Sequence, residues 1–188
     1  MTKDTQPPRR FPLIDRVQVF AGRRFDVFVD QVEISKDATV RREVVHHPGA
    51  VAIVPALKTG DVLLVRQARP AVDRELWEIP AGTLEADEPA ADSARRELRE
   101  ETGYVASDWT ALGVFFTSPG ICDEQMSLFL ARDLTRVGEF DPREISLCRP
   151  FRPEELRTMV ACGEIQDAKT LIGLYATGLL GSVAETKG

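Results

Sequence analysis

The stretch from Gly82 to Tyr104 constrains this chain more than any other. It reads as a loop followed by a helix. Asp87 or Glu88 can cap the helix start, and Pro89 is tolerated in its first turn. Ala91, Ala94 and Leu98 recur at helical spacing and can face a core. Gly103 is placed to end the helix in a left-handed conformation. The charges are not those of an ordinary surface helix. Glu97, Glu100 and Glu101 stand at i, i+3 and i+4, so their carboxylates share one face. Like charges at that spacing cost roughly 0.2–0.5 kcal/mol per pair. They also lie in the last turns, where the helix dipole favours cations. A divalent cation would turn the repulsion into attraction, and all-oxygen donors favour Mg2+ or Mn2+ over zinc. Taken alone, three glutamates are also what a solvated acidic face looks like, with Arg95, Arg96 and Arg99 as neighbours.

The full pattern narrows the choice. Gly82, five residues, Glu88, seven residues, then Arg96-Glu97-Leu98-x-Glu100-Glu101-x-Gly103 resembles the Nudix box of the Nudix hydrolases. Tyr104 stands where an aliphatic residue is usual. The resemblance implies an α/β fold, the Nudix α/β/α sandwich with a mixed sheet. It implies hydrolysis of a nucleoside diphosphate linked to another group. It further implies that Glu97, Glu100 and Glu101 bind Mg2+ or Mn2+, two or three ions per site, with the carbonyl of Ala81 as a backbone ligand. Glu100 counts also among the catalytic residues, as does Arg96, which would orient the glutamates from behind; a surface ion pair is the plainer reading of Arg96.

Composition removes other classes. The chain has 188 residues, near one domain's worth. Its 24 Lys and Arg against 30 Asp and Glu give a net charge of −6. A nucleic-acid partner would leave a basic footprint, so none is expected. Anionic small substrates remain open where arginines are focused locally. No apolar run is long enough to span a membrane. Met1 to Arg10 is polar and lacks the apolar region of a signal peptide. Cys122, Cys148 and Cys162 show no CxxC spacing and read as reduced thiols in a cytoplasmic compartment.

Along the chain, residues 1–15 carry Pro7, Pro8 and Pro12 and read as a mobile or partly extended lead-in. Val17 to Phe20 and Asp26 to Ile34 read as a hairpin around Gly22, and Val40 to His46 as a third strand. Together they make an N-terminal antiparallel β region, residues 1–48, poorly buried on its own. A catalytic domain, residues 49–188, follows the break at His47-Pro48-Gly49. Ala50 to Leu57 is a continuous apolar strand of the kind buried on both faces. Val62 to Gln67 returns beside it. Ala111 to Thr117 and Met126 to Arg132 read as strands joined by the loop 118–124. Residues 133–144 form a polar loop carrying Asp133, Glu139, Asp141 and Glu144. Ile145 to Phe151 is the last strand, and Pro153 to Cys162 and Asp167 to Leu180 are helices.

Several segments resemble the ADP-ribose pyrophosphatase subgroup of that family. Pro119 lies fifteen residues after Tyr104, inside Ser118-Pro119-Gly120 and ahead of Glu124. Phe25 follows Gly22-Arg23-Arg24. Arg41-Arg42-Glu43 precedes His47-Pro48-Gly49-Ala50, and Arg66-Gln67-x-Arg69-Pro70 precedes the box. Gly163-Glu164-Ile165-x-Asp167-Ala168 closes the series. The resemblance implies that Phe25 stacks on the base and that Arg42 and Arg69 contact base or phosphates. Pro119 and Glu124 complete the expected substrate contacts. Phe25 also reads as a core or interface aromatic, and Arg42 as a strand-edge charge. The subgroup typically forms a homodimer with exchanged N-terminal strands, residues 14–48 packing on the partner. It also draws a base from a loop matching 133–144. Glu144 is chosen because it directly precedes a strand, with Glu139 as the alternative.

The activity implied is metal-dependent hydrolysis of ADP-ribose to AMP and ribose 5-phosphate. GDP-mannose or another nucleotide sugar is the nearest rival, and a non-catalytic nucleotide sensor is the rival from another class. His46 and His47 are read as structural, because neighbours on a strand point to opposite faces. Cys122 has no His nearby in sequence to make it a nucleophile.

Overall fold

The computed structural model describes residues 10–181, so the lead-in expected over residues 1–15 falls largely outside the described residues. The order of elements begins β1 (Leu13–Ala21), β2 (Asp26–Ser35), β3 (Ala38–His46), β4 (Ala50–Pro55) and β5 (Val62–Arg69). A single 3-10 turn at Pro70–Val72 leads to β6 (Arg74–Glu78) and β7 (Ala81–Thr83). Then come α1 (Ala90–Thr102), β8 (Tyr104–Phe116), β9 (Gln125–Arg136), β10 (Ile145–Phe151), α2 (Pro153–Ala161) and α3 (Ala168–Ala176).

Two compact units share the chain: residues up to His47 together with Ser118–Glu124, and the remainder. In the first, β1, β2 and β3 form an antiparallel meander in that order. Arg16 sits opposite Asp30 and bonds it through two nitrogens at 2.8 and 2.6 Å. The segment 118–124 is held to the end of β3 by the Val45–Cys122 bridge and by Asp123. Asp123 takes His46 Nδ1 at 2.6 Å and the His47 backbone N–H at 2.9 Å. His47 Nδ1 also lies 3.5 Å from Glu124. Both histidines therefore serve one loop. The alternation argument does not reach His47, because β3 ends at His46.

The second unit is organised on β4, every residue of which is buried. Val51 and Ile53 face α1 and pack with Ala94, Leu98 and Ala131. Ala52 and Val54 face the other way, into a core with Leu64, Ile79, Phe151, Leu156 and Leu174. A strand covered by helices on both faces is what its unbroken apolar run demands. It lies in a mixed four-stranded sheet, β7-β4-β9-β8, parallel to β9 and antiparallel to β7. An antiparallel sheet, β10-β5-β6, accompanies it. Gly173 of α3 lets that helix close on β4: a Cβ there would stand 2.9 Å from both Val54 and Ile79.

Three expectations are corrected. Neither Asp87 nor Glu88 caps α1; Pro89 holds the cap position, and Asp87 sits at φ 60° in the preceding turn. β8 begins at Tyr104, directly on the helix end. Its polar first half, with Ser107 and Asp108, conceals a strand. β9 runs to Arg136, which shortens the polar loop to residues 137–144. β6 and β7 are strands too short for a periodic signal. Gly103 ends α1 as expected, at φ 74°, donating its N–H to the Arg99 carbonyl at 2.9 Å. No helix among the described residues is long and apolar enough to cross a membrane.

Candidate active site

The anchoring of α1 by Ala94 and Leu98 decides which glutamates it turns inward. Glu97 and Glu101, one turn apart, are 7% and 3% exposed. β7 runs against this face and closes on it. The Ala81 N–H bonds Glu101 Oε2 at 2.9 Å. A Cβ on Gly82 would stand 1.9 Å from Glu97 Oε1, so the Glu97 carboxylate can hold this position only with glycine at 82. Burial pushes the Glu101 carboxyl up to about 8; the Ala81 N–H opposes the shift and the Glu97 charge adds to it. Burial also raises Glu97, against its bond to Arg96 and with the charges of Glu100 and Glu144 assisting.

Arg96 ties the face together. Its Nε and Nη2 take the two oxygens of Glu88 at 2.9 Å each, and its Nη1 reaches Glu97 at 2.6 Å and Glu100 at 3.3 Å. The Arg96 guanidinium holds Glu88 down at about 2. Glu100 is exposed and turned toward Arg96. Among the described residues no three Asp, Glu, His or Cys side chains converge into a preformed metal cluster. Glu97 and Glu100 share Arg96 as their cation, whereas Glu101 accepts the Ala81 N–H.

The donor set nonetheless fits a hard divalent cation. It offers oxygen only, its two inward carboxylates are penalised by burial when charged, and it carries more negative charge than one arginine offsets.

The loop of residues 137–144 is bonded to the last turn of α1. Val137 and Gly138 donate to the Gly103 carbonyl at 2.8 and 3.1 Å, and Asp141 donates to the Glu100 carbonyl at 2.8 Å. Glu144 is exposed at the end of this loop, and its charge reaches Glu97. Glu139 is bound by Arg136 at 2.7 Å. A cavity of about 750 Å3 opens between the outer flank of α1, at Arg99 and Glu100, and Gly138–Asp141.

Arg69 lies in the same unit, with both Nε and Nη2 on Glu78 at 2.8 and 2.6 Å. Glu78 is 1% exposed and also takes the ammonium of Lys169 from α3. Sequence reasoning missed both residues. The available signal was a carboxylate set in the apolar run Leu76-Trp77-x-Ile79.

The remaining substrate candidates belong to the first unit. The Phe25 ring is exposed and lies 5.9 Å from that of Phe20. Arg42 is exposed on β3, bonded to the Arg41 carbonyl at 2.8 Å. Pro119 and Glu124 lie in the segment that the two histidines hold.

Comparison with known proteins agrees with this arrangement. The NUDIX domain model matches residues 45–172. An ADP-ribose pyrophosphatase of Bacillus subtilis (strain 168) is 39% identical over 160 residues, 84% of this chain and 86% of that protein. An ADP-ribose pyrophosphatase of Mycobacterium tuberculosis (strain ATCC 25618 / H37Rv) is 39% identical over 170 residues, 88% and 82% of the two chains. The fold matches a crystal structure described as that of an ADP compounds hydrolase. The TM-score is 0.77 at 19% identity, covering 92% of this chain and 95% of that one. Nudix hydrolases generally need divalent metal ions. A family model over most of the chain, and relatives this similar along nearly their whole length, show that the chain belongs to the Nudix family.

Proposed function

We propose that this chain hydrolyses the pyrophosphate bond of ADP-ribose, with a divalent metal, to give AMP and ribose 5-phosphate. The observation that carries the reading is the buried Glu97–Glu101 pair, closed in by Gly82 and braced by Arg96. The 39% identity to two ADP-ribose pyrophosphatases supports the choice of substrate. Two or three Mg2+ or Mn2+ ions, held by Glu97, Glu100, Glu101 and the Ala81 carbonyl, would neutralise charge on the pyrophosphate. Arg96 keeps Glu97 and Glu100 aimed at that position. Arg69 contacts the phosphates, Phe25 and Arg42 receive the base, and Pro119 and Glu124 shape the substrate's surroundings. Glu144 accepts the proton of the attacking water. The reach of its charge to Glu97 favours it over Glu139, which Arg136 occupies.

The test is phosphate release from a panel of nucleotide sugars, with Mg2+ and an added phosphatase. ADP-ribose should give the highest kcat/KM; GDP-mannose in first place would reassign the substrate, and no turnover of any would make the chain a sensor. Glu97→Gln and Glu101→Gln should each cost about 10²-fold or more in kcat while the fold persists. Near-parental turnover in either variant would remove that residue from the metal site.

A further inference from the structure

The charge chain behind Arg69 has no counterpart in the reaction as set out above. Glu78 closes β6 at 1% exposure, and both its oxygens are used, one by Arg69 alone and the other by Arg69 and Lys169. Lys169 is itself buried, at 8% exposure, and its Nζ also bonds Asp167 Oδ1 at 3.0 Å. Asp167 is the cap of α3 and takes the Thr170 N–H and hydroxyl at 2.9 and 2.6 Å. Thr170 Oγ1 in turn accepts the Ile79 N–H at 2.9 Å. The first turn of α3 therefore grips the Glu78 side chain and the backbone next to it.

Stability alone does not account for Lys169. The Ile79 N–H is satisfied by Thr170 without it, and a buried ion pair is often no more stable than apolar residues of the same volume. What Lys169 adds is direction. A carboxylate bonded only to a flexible arginine can rotate about its last torsion. With a third bond from a fixed helix, its plane is set, and the guanidinium bonded to it in a fork is set with it. Arg69 is left with its side chain about one-third exposed and its Nη1 without a partner among the described residues. Glu101 is bonded to Ala81, three residues after Glu78, and the charges of Lys169 and Arg69 both act on its carboxyl.

We infer that Lys169 is a positioning residue that, through Glu78, fixes the Arg69 guanidinium for the substrate's phosphates. The inference rests on the proposed contact between Arg69 and those phosphates. It gives a role to the segment Gly163–Ala168, whose Asp167 caps the helix that carries Lys169.

The test is a mutant cycle in ADP-ribose hydrolysis at saturating Mg2+. Arg69→Ala should raise KM about 10–100-fold, the worth of a charged hydrogen bond. Lys169→Met should raise KM about 10-fold and change kcat less than about 3-fold, and should have no further effect on KM once Arg69 is alanine. Glu78→Gln, which keeps the side chain's size and its oxygen for Arg69, repeats the cycle should Lys169→Met not fold. Equal KM increments with and without Arg69 would overturn the inference. So would a lowered Tm with unchanged kinetic constants. An Arg69→Ala variant with parental KM would instead overturn the assignment of Arg69, and the inference with it.

Discussion

Arg96 is the cation that Glu97 and Glu100 share on one face of α1, while Glu101 is held by the Ala81 N–H. It spends its fork on Glu88 and its remaining nitrogen on Glu97 and Glu100. Glu88 is thus a brace for a brace, and its carboxyl is held at about 2 by Arg96, below the ordinary value of 4.5. A folded value below the unfolded one means stability that is complete above pH ~4.5 and lost as pH falls toward ~2. Glu88→Gln should therefore cost roughly 1–3 kcal/mol at pH 7. The Tm gap to the parent should close as pH falls through that window; a gap independent of pH would refute the ion pair. Gly82 gives a second residue-scale test. The atom that a Gly82→Ala methyl would strike is the end of a flexible side chain, the Glu97 carboxylate. Glu97 can move aside, so the variant should fold with a near-parental melt and lose about 10²-fold or more in kcat. A melt lowered as far as the activity would show that the close approach serves packing instead.

At the scale of elements, the loop 137–144 and α1 act as one piece, because the loop's N–H groups satisfy carbonyls that a helix end leaves unpaired. A base at the end of such a loop is held where its charge acts on the acidic face. Glu144→Gln should lower kcat about 10²-fold or more with little change in KM, and Glu139→Gln should leave both near parental. The reverse pattern in steady-state kinetics would transfer the role to Glu139. The elements also show what a sequence makes legible. α1 declares itself through Ala94 and Leu98 at helical spacing and Gly103 at its end, and β4 through its unbroken apolar run. β7 has three residues, too few for any period, yet it supplies the backbone that meets both inward glutamates. The start of β8 is disguised by Ser107 and Asp108, which interrupt its apolar residues. The Glu78–Lys169 pair joins residues 91 apart, and no local pattern connects them.

At the scale of the whole molecule, β1 is unfinished business for a single chain. All nine of its residues are exposed, Leu13, Val17, Val19 and Phe20 among them. Among the described residues it is also the edge of its sheet, bonded to β2 alone. An apolar strand with a free edge is a template for another chain, and soluble proteins cover such edges or blunt them with charge. Arg16 and Asp15 are the only charges on β1, and Arg16 is already spent on Asp30. A second copy of the chain is the occupant we expect, with residues 14–48 of each packing on the other. The N-terminal region, residues 1–48, would then be the dimerisation element, and the rest the catalytic domain. A stable dimer buries roughly 1,200–2,000 Å2, so a patch of this kind is sufficient only if neighbouring strands contribute. Because Phe25 and Arg42 lie in this same unit, separating the copies should disturb the substrate site as well as the assembly. Val17→Asp combined with Val19→Asp puts two buried charges into that interface. In sedimentation velocity at micromolar concentration the parent should run as a dimer and the double variant as a monomer, with kcat/KM for ADP-ribose reduced at least about 10-fold. A parent that sediments as a fully active monomer would exclude strand exchange, and an active monomeric variant would separate dimerisation from the substrate site.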